Sequence, residues 1–411
     1  MTSTSADGTP GPATPATPAP ATGVPARSAG VTAARGFRAS GVTAGIKQSG
    51  TPDLALVVND GPTLAAAGVF TSNRVKAAPV LWSQQVIRGG LVSAVVLNSG
   101  GANACTGPLG FQDTHATAER TAEVLGLNAG EVAVCSTGLI GERLPMQKLL
   151  PGIDLAAQAL TGDGGEAAAV AIRTTDTVHK TASVSRDGWT VGGMAKGAGM
   201  LAPGLATMLV VLTTDARVDA AGLDAALRAA TRTTFDRIDS DGCMSTNDTV
   251  LLLASGASLV APDPADFAEA VRAVCGDLAR QLIGDAEGAT KDIRIDVTAA
   301  ADEDDAVEVG RTVARSNLLK CALHGEDPNW GRVLSAIGTT AAAFEADELD
   351  VAINGVWVCR SGRTGEDRSL VDMSAREVVI TVDLHAGSAA ATVWTNDLTA
   401  DYVHENSAYS T

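Results

Sequence analysis

The chain has 411 residues, with 30 basic side chains against 47 acidic ones for a formal charge of −17. It is 19% charged, 45% apolar and 3% aromatic, and its mean hydropathy is slightly positive. Nucleic acid is a poor partner for such a surface, and so few aromatics leave few stacking platforms for bases or sugars. At roughly 150 residues per domain the length suggests two or three domains, with cores built from Val, Leu, Ile and Ala.

Residues 1–29 are almost all Thr, Ala, Gly, Ser and Pro, and six of the sixteen prolines fall between Pro10 and Pro25. Such a stretch buries too little side chain to offset its ordering entropy, so a disordered extension is expected, with the fold starting near Gly30. It contains no apolar h-region, so a signal peptide is not indicated. No apolar run reaches the roughly 18 residues of a membrane helix, and 205–212 and 250–254 are strand-sized. A cytoplasmic protein without membrane partners is therefore expected.

Beyond Gly30, short apolar strands alternate with helical patterns, which points to an α/β or mixed layered fold. Strands are expected at 54–58, 94–97, 132–135, 181–191 with a turn at Asp187-Gly188, 208–212, 249–253, 293–297, 349–353, 378–384 and 391–395. Helices are expected at 114–125, 219–233 and 307–319. Another should follow Asp263-Pro264, where Asp suits the N-cap and Pro the first helical position. In that helix Phe267, Val271, Val274, Cys275, Leu278 and Leu282 form one apolar stripe. No repeat period is visible.

The cysteines, Cys105, Cys135, Cys243, Cys275, Cys321 and Cys359, are spread singly without a metal-ligand spacing and read as buried small apolar residues in a reducing compartment. His115, His179, His324, His385 and His404 are equally scattered, so no metal and no cofactor is expected. Gly193-Met-Ala-Lys196-Gly197-Ala-Gly199 has the look of a phosphate loop, but its lysine precedes the glycine and no Gly-Lys-Ser/Thr is present. Asp239-Ser-Asp241-Gly242 fails as a calcium loop, with Val250 at position twelve, and reads as a turn. The acidic run 302–305 reads as a solvated loop.

The informative region runs from Gly192 through Lys196 to Ala206-Thr207 and a buried strand. By composition alone Thr207 is a core strand threonine. If the Ala206-Thr207 bond is cleaved, however, Thr207 gains a free α-amine beside its own hydroxyl, and general base and nucleophile come together on one residue. The reference pKa of such an amine, about 8, suits proton transfer near neutrality.

Residues 194–216, MAKGAGMLAPGLATMLVVLTTDA, resemble the maturation site of the ornithine acetyltransferases, bifunctional glutamate N-acetyltransferase/amino-acid acetyltransferases of arginine biosynthesis. Further matching segments follow in order: GFRASGVTAGIK (36–47), LNSGGANACTG (97–107), CSTGLIGERLPM (135–146), AIRTTD (171–176), STNDTVLLLASGAS (245–258), DAEGATK (285–291), DPNWGRVLSAIG (327–338) and ENSAYST (405–411). The resemblance covers everything after the Pro-rich extension.

It implies a layered α/β sandwich with mixed sheets and an N-terminal-nucleophile-like self-processing architecture, plus a smaller C-terminal α/β region. Cleavage would give an α chain, 30–206 in its folded part, and a β chain, 207–411, that remain together, and the resemblance implies that they are partners in an α2β2 heterotetramer. The implied reaction moves acetyl from N2-acetylornithine to glutamate through acetyl-Thr207. Nothing in the residues decides whether acetyl-CoA also serves as donor. Thr137 and Gly138 match the oxyanion-hole pair, and Thr174, Lys196, Thr207, Glu287, Asn406 and Thr411 match the substrate-binding set. Charge suggests that Lys196 pairs with a substrate carboxylate and Glu287 with the donor's side-chain ammonium. Thr174 is the less firmly placed of the set because Thr175 adjoins it. The family often has Asn in place of Gly101 and Asp-Thr in place of Cys243-Met244, which puts local loop geometry in question. Two other readings stand beside this one: an amidase or aminopeptidase of the same self-cleaving fold, and an uncleaved ligand-binding relative.

Overall fold

A computed structural model describes residues 29–202 and 208–408. In the first part of the chain the strands are β1 (Phe37–Val42), β2 (Leu54–Asn59), β3 (Ala65–Phe70), β4 (Ala94–Asn98), β5 (Val132–Ser136), β6 (Lys180–Arg186), β7 (Trp189–Lys196), β8 (Leu209–Thr214) and β9 (Thr249–Ala254). The helices among them are α1 (Ala78–Ile87), α2 (Gly107–Leu125), α3 (Met146–Gln158), α4 (Gly165–Ala171), α5 (Ala220–Thr233) and α6 (Pro264–Gly284). The rest holds β10 (Asp292–Ala300), α7 (Glu303–Ala314), α8 (Asn317–His324), α9 (Trp330–Ile337), β11 (Asp350–Ile353), β12 (Val356–Arg360), β13 (Arg363–Thr364), β14 (Glu377–Asp383), β15 (Ala389–Asn396) and α10 (Ala400–Ala408).

Two mixed sheets, in the orders β1-β2-β4-β5 and β3-β9-β8-β7-β6, stack face to face. Because side chains alternate across a strand, each inner strand serves two cores. Ala55 and Val57 of β2 meet Leu209, Val211, Leu251 and Leu253 of β8 and β9 between the sheets. Leu54, Leu56 and Val58 point the other way, onto Leu149 and Ile153 of α3 and Ala118 and Ala122 of α2. On the far side, Val210, Leu212, Val250 and Leu252 pack under α5 and α6. Strands covered on both faces lose the polar alternation and read as continuous apolar runs, which is why β2, β8 and β9 were legible.

The third sheet, β13-β12-β11-β14-β10-β15, is a separate layer. Its Ile293, Ile295, Val297, Val378, Ile380 and Val382 pack against Val309 and Val313 of α7 and Val333 and Ile337 of α9. This is the smaller C-terminal α/β region. Lys320 of α8 joins it to the sandwich by donating to Ser240 O and Thr395 Oγ1.

The helix after Asp263 forms as expected: the Asp263 carboxylate accepts from the backbone N–H of Ala265 and Asp266, Pro264 opens the helix, and the apolar stripe is buried. Several expectations need correction. The helix expected over 307–319 is two helices, broken where the Ser316 side chain caps α8 by accepting from Leu319 N–H. The acidic run is no solvated loop: Asp302 caps α7, and Glu303, Asp304 and Asp305 form its first turn, where the helix dipole favours negative charge. The segment 181–191 is the hairpin of β6 and β7, and β7 extends to Lys196, so Gly192 and Gly193 lie in a strand instead of a flexible loop. Strands β1, β3, β12 and β13 and helices α1, α3, α4, α9 and α10 are not among the expected elements. All six cysteines are free, but only Cys135, Cys275 and Cys359 are buried, while Cys105, Cys243 and Cys321 are exposed. The extension expected over 1–29 falls outside the described residues except for Ala29.

Candidate active site

The site assembles where the two stacked sheets end together. Strand β5 runs parallel to β4, with Ser136 opposite Asn98, and the chain leaves it through Thr137 and Gly138. Thr137 N–H donates to Asn98 O at 3.0 Å, and Gly101 N–H donates to Thr137 O at 3.0 Å. Gly101 thus holds Thr137 through its backbone, and no side chain at that position is needed for the contact. Gly138 has φ +129°, and a Cβ there would sit 2.8 Å from Gly101 N, so glycine alone fits the turn. The amide of Asn247, just before β9, donates to Ala102 O at 2.6 Å and to Ser136 O at 2.8 Å, locking the two loops together.

The facing sheet contributes Lys196, the last residue of β7. It is 1% exposed, far from the solvent-facing position its glycine-rich surroundings suggest in isolation. Its Nζ donates to Thr137 Oγ1 at 3.4 Å. Burial pulls its pKa down, against the pull of the Asp176, Asp248 and Glu287 carboxylates. Because the Thr137 oxygen accepts from Lys196, its own O–H is left to donate elsewhere.

The cleft is also lined by a carboxylate. Glu287 follows α6, and its N–H donates to Ala198 O at 3.0 Å. Its Oε1 accepts the Thr175 hydroxyl at 2.7 Å and its Oε2 accepts Asn406 Nδ2 at 2.9 Å. A Cβ at Gly199 would lie 2.6 Å from Glu287 Oε2, so the carboxylate packs directly on that backbone. Behind this wall Asp176 is buried; burial pushes its carboxyl up, but Lys196, Lys180 and the Gly197 N–H outweigh that and hold it at about 2.

Thr137, Gly138, Thr174, Lys196, Glu287 and Asn406 all line one small cleft. Six residues from five distant segments are therefore brought together. Ala206, Thr207 and Thr411 lie outside the described residues. On their C-terminal side Met208 N–H donates to Asp248 Oδ1 at 3.1 Å, and Leu209 is in register with Lys196 on one side and Thr249 on the other. Burial holds the Asp248 carboxyl well above the usual range.

Sequence reasoning did not single out Thr175, Asn247 or Asp176. Thr175 had a signal, its adjacency to Thr174, whereas Asn247 and Asp176 act through contacts 111 and 21 residues away that no local pattern announces. Chemically, a cleft lined by a buried cation, a hydroxyl in contact with it and a carboxylate suits a ligand that carries both charges. Among the described residues no group of three or more His, Cys, Asp or Glu could hold a metal ion, and no helix is long and apolar enough to cross a membrane.

Two stacked mixed sheets between helical layers, with the cleft at their strand ends, define a layered α/β sandwich. A model of the ArgJ family matches residues 38–411, and the chain belongs to that family. The arginine biosynthesis bifunctional protein ArgJ of Streptomyces avermitilis is 78% identical over 380 residues, which cover 92% of this chain and 99% of that protein. The protein of the same description from Thermobifida fusca is 65% identical over 381 residues, 93% of this chain and all of that one, at 100%. A crystal structure of ornithine acetyltransferase complexed with ornithine from Mycobacterium tuberculosis is 61% identical, covering 45% of this chain and 98% of that chain with a TM-score of 0.43.

Proposed function

We propose that this protein is a self-processed acetyltransferase of arginine biosynthesis that moves acetyl from N2-acetylornithine to glutamate by way of acetyl-Thr207. The observation that carries the reading is the shared cleft: the oxyanion pair expected at Thr137 and Gly138 and the binding residues Lys196, Glu287 and Asn406 all line it. Thr207 directly precedes Met208 in the chain, and the Met208 N–H donates to Asp248 Oδ1 at 3.1 Å.

In maturation the Thr207 hydroxyl attacks the Ala206 carbonyl carbon, the peptide C–N bond breaks, and water hydrolyses the resulting ester. The freed α-amine then takes the hydroxyl proton as Thr207 Oγ attacks the acetyl carbonyl of the donor. Negative charge develops on that carbonyl oxygen, and the Thr137 O–H and Gly138 N–H are the donors aimed at it. The proton passes to the departing nitrogen, ornithine leaves, and the α-amine of glutamate attacks the acetyl ester to release N-acetylglutamate and restore Thr207. Lys196 receives the substrate carboxylate. Glu287 keeps lone pairs beyond those used by Thr175 and Asn406, and it receives the side-chain ammonium. Thr174 and Thr411 complete the binding set, and the two chains act as an α2β2 assembly in the cytoplasm.

Purified protein incubated with N2-acetylornithine should transfer acetyl to glutamate in a ping-pong pattern. Acetyl-CoA is the second donor to assay, because the relatives are described as bifunctional. Hydrolysis of the donor at the same rate with or without glutamate would instead favour an amidase.

A further inference from the structure

Behind the cleft, a buried ion cluster ties together three of its walls. Lys180, the first residue of β6, is fully buried, and its Nζ lies 2.6 Å from Asp176 Oδ1 and 2.6 Å from Asp285 Oδ2. Asp176 also accepts the N–H of Gly197 at 2.7 Å and that of Thr174 at 3.0 Å. Asp285 accepts the N–H of Thr177 at 3.1 Å and the Thr177 hydroxyl. Gly197 follows Lys196, Asp176 follows Thr174 and Thr175, and Asp285 precedes Glu287 by two residues. Each arm of the cluster thus ends beside a cleft residue, while Lys180 is set back from the lining.

We propose that Lys180 is a positioning residue that fixes the distance between the Thr174–Thr175 wall and Glu287, and so selects the length of the donor's side chain. The inference rests on the acetyl-transfer reading above, in which Glu287 receives the donor's ammonium. The physical argument is charge balance in a dry place. With the ammonium between them, the buried Asp176 carboxylate and the largely buried Asp285 carboxylate are drawn to one point; without it they repel, and Asp176 cannot move to water without shifting its own segment. Segments 174–177 and 285–287 then part, and Glu287 is no longer held at one depth. A pocket of fixed depth discriminates one methylene by roughly 10- to 200-fold.

The test is the ratio of kcat/KM for N2-acetylornithine to that for N2-acetyllysine, one methylene longer, in wild type, Lys180→Met and Asp285→Asn. This ratio does not depend on how much of a preparation is folded or processed, so a merely structural loss leaves it unmoved. The preference for acetylornithine should fall ~10-fold or more in Lys180→Met. It should fall less in Asp285→Asn, where Lys180 keeps Asp176 and no carboxylate is left unpaired; that variant decides alone if the lysine variant does not accumulate. Variants that retain the wild-type ratio, or a wild type that takes both donors equally, overturn the role of Lys180. A wild type that transfers acetyl from neither donor overturns the acetyl-transfer reading itself.

Discussion

Lys196 Nζ and Thr137 Oγ1 meet at 3.4 Å across the space between the two stacked sheets, one residue ending β7 and the other leaving β5. In this contact the Thr137 hydroxyl oxygen accepts from Lys196, which leaves its O–H available as a donor. Thr137→Ala should lower kcat for acetyl transfer by roughly 100-fold or more with little change in KM, because the lost donor acts on charge that exists only in the transition state. Thr137→Ser, which keeps the hydroxyl, should recover most of the rate. Steady-state kinetics at saturating glutamate checks both variants.

Gly199 lies against Glu287, with only 2.6 Å between a Cβ at 199 and Oε2. Gly199→Ala should push the carboxylate off its seat and raise KM for acetylornithine by ~10-fold, a cost of about 1.4 kcal/mol in binding. Thermal stability should change little, since the glutamate can turn into the cleft. A variant with wild-type KM would show that Glu287 does not contact the donor.

Helix α10 has no buried residue, yet Asn406 on it reaches Glu287 at 2.9 Å. Removing residues 405–411 should therefore raise KM for acetylornithine several-fold while the unfolding midpoint in denaturant stays within error, because truncation removes a cleft contact and no core. A large fall in the midpoint with unchanged KM would contradict this assignment.

Asp176 has its carboxyl at about 2, because Lys196, Lys180 and Gly197 N–H overcome the upward push of burial. Its folded pKa lies below the unfolded value of about 3.9, so the native state binds fewer protons. The resulting stability is fully present above pH ~4 and is lost as pH falls through about 2. Unfolding of wild type and Asp176→Asn at pH 7, 4, 3 and 2 should show a gap that narrows only over the last two steps. A gap independent of pH would assign the effect of the substitution to packing alone.

How far the sequence carried this result depends on which forces are local. The buried strands β2, β4, β5, β8 and β9 announce themselves as apolar runs, and α6 by its cap and stripe, since each signal lies within a few residues. Strand β1, Phe-Arg-Ala-Ser-Gly-Val, was missed because its Gly41 and Ser40 look like turn residues; in the fold Ser40 donates to Ala156 O and Gly41 passes close to Ala167 O, contacts set by tertiary packing. Lys196 was legible as a site residue through its motif, but its burial was not, because glycine neighbours suggest a loop where β6 and β8 in fact pair on both sides of β7. The Lys180 cluster was invisible, since Lys180 and Asp285 are 105 residues apart.

The most direct test of the central claim is the intact mass of the purified protein before and after incubation with N2-acetylornithine. Two chains separated between Ala206 and Thr207 are expected, with one acetyl group gained by the chain that begins at Thr207 and discharged by added glutamate. A single uncleaved chain with full transfer activity, or an acetyl group carried on the other chain, would contradict it.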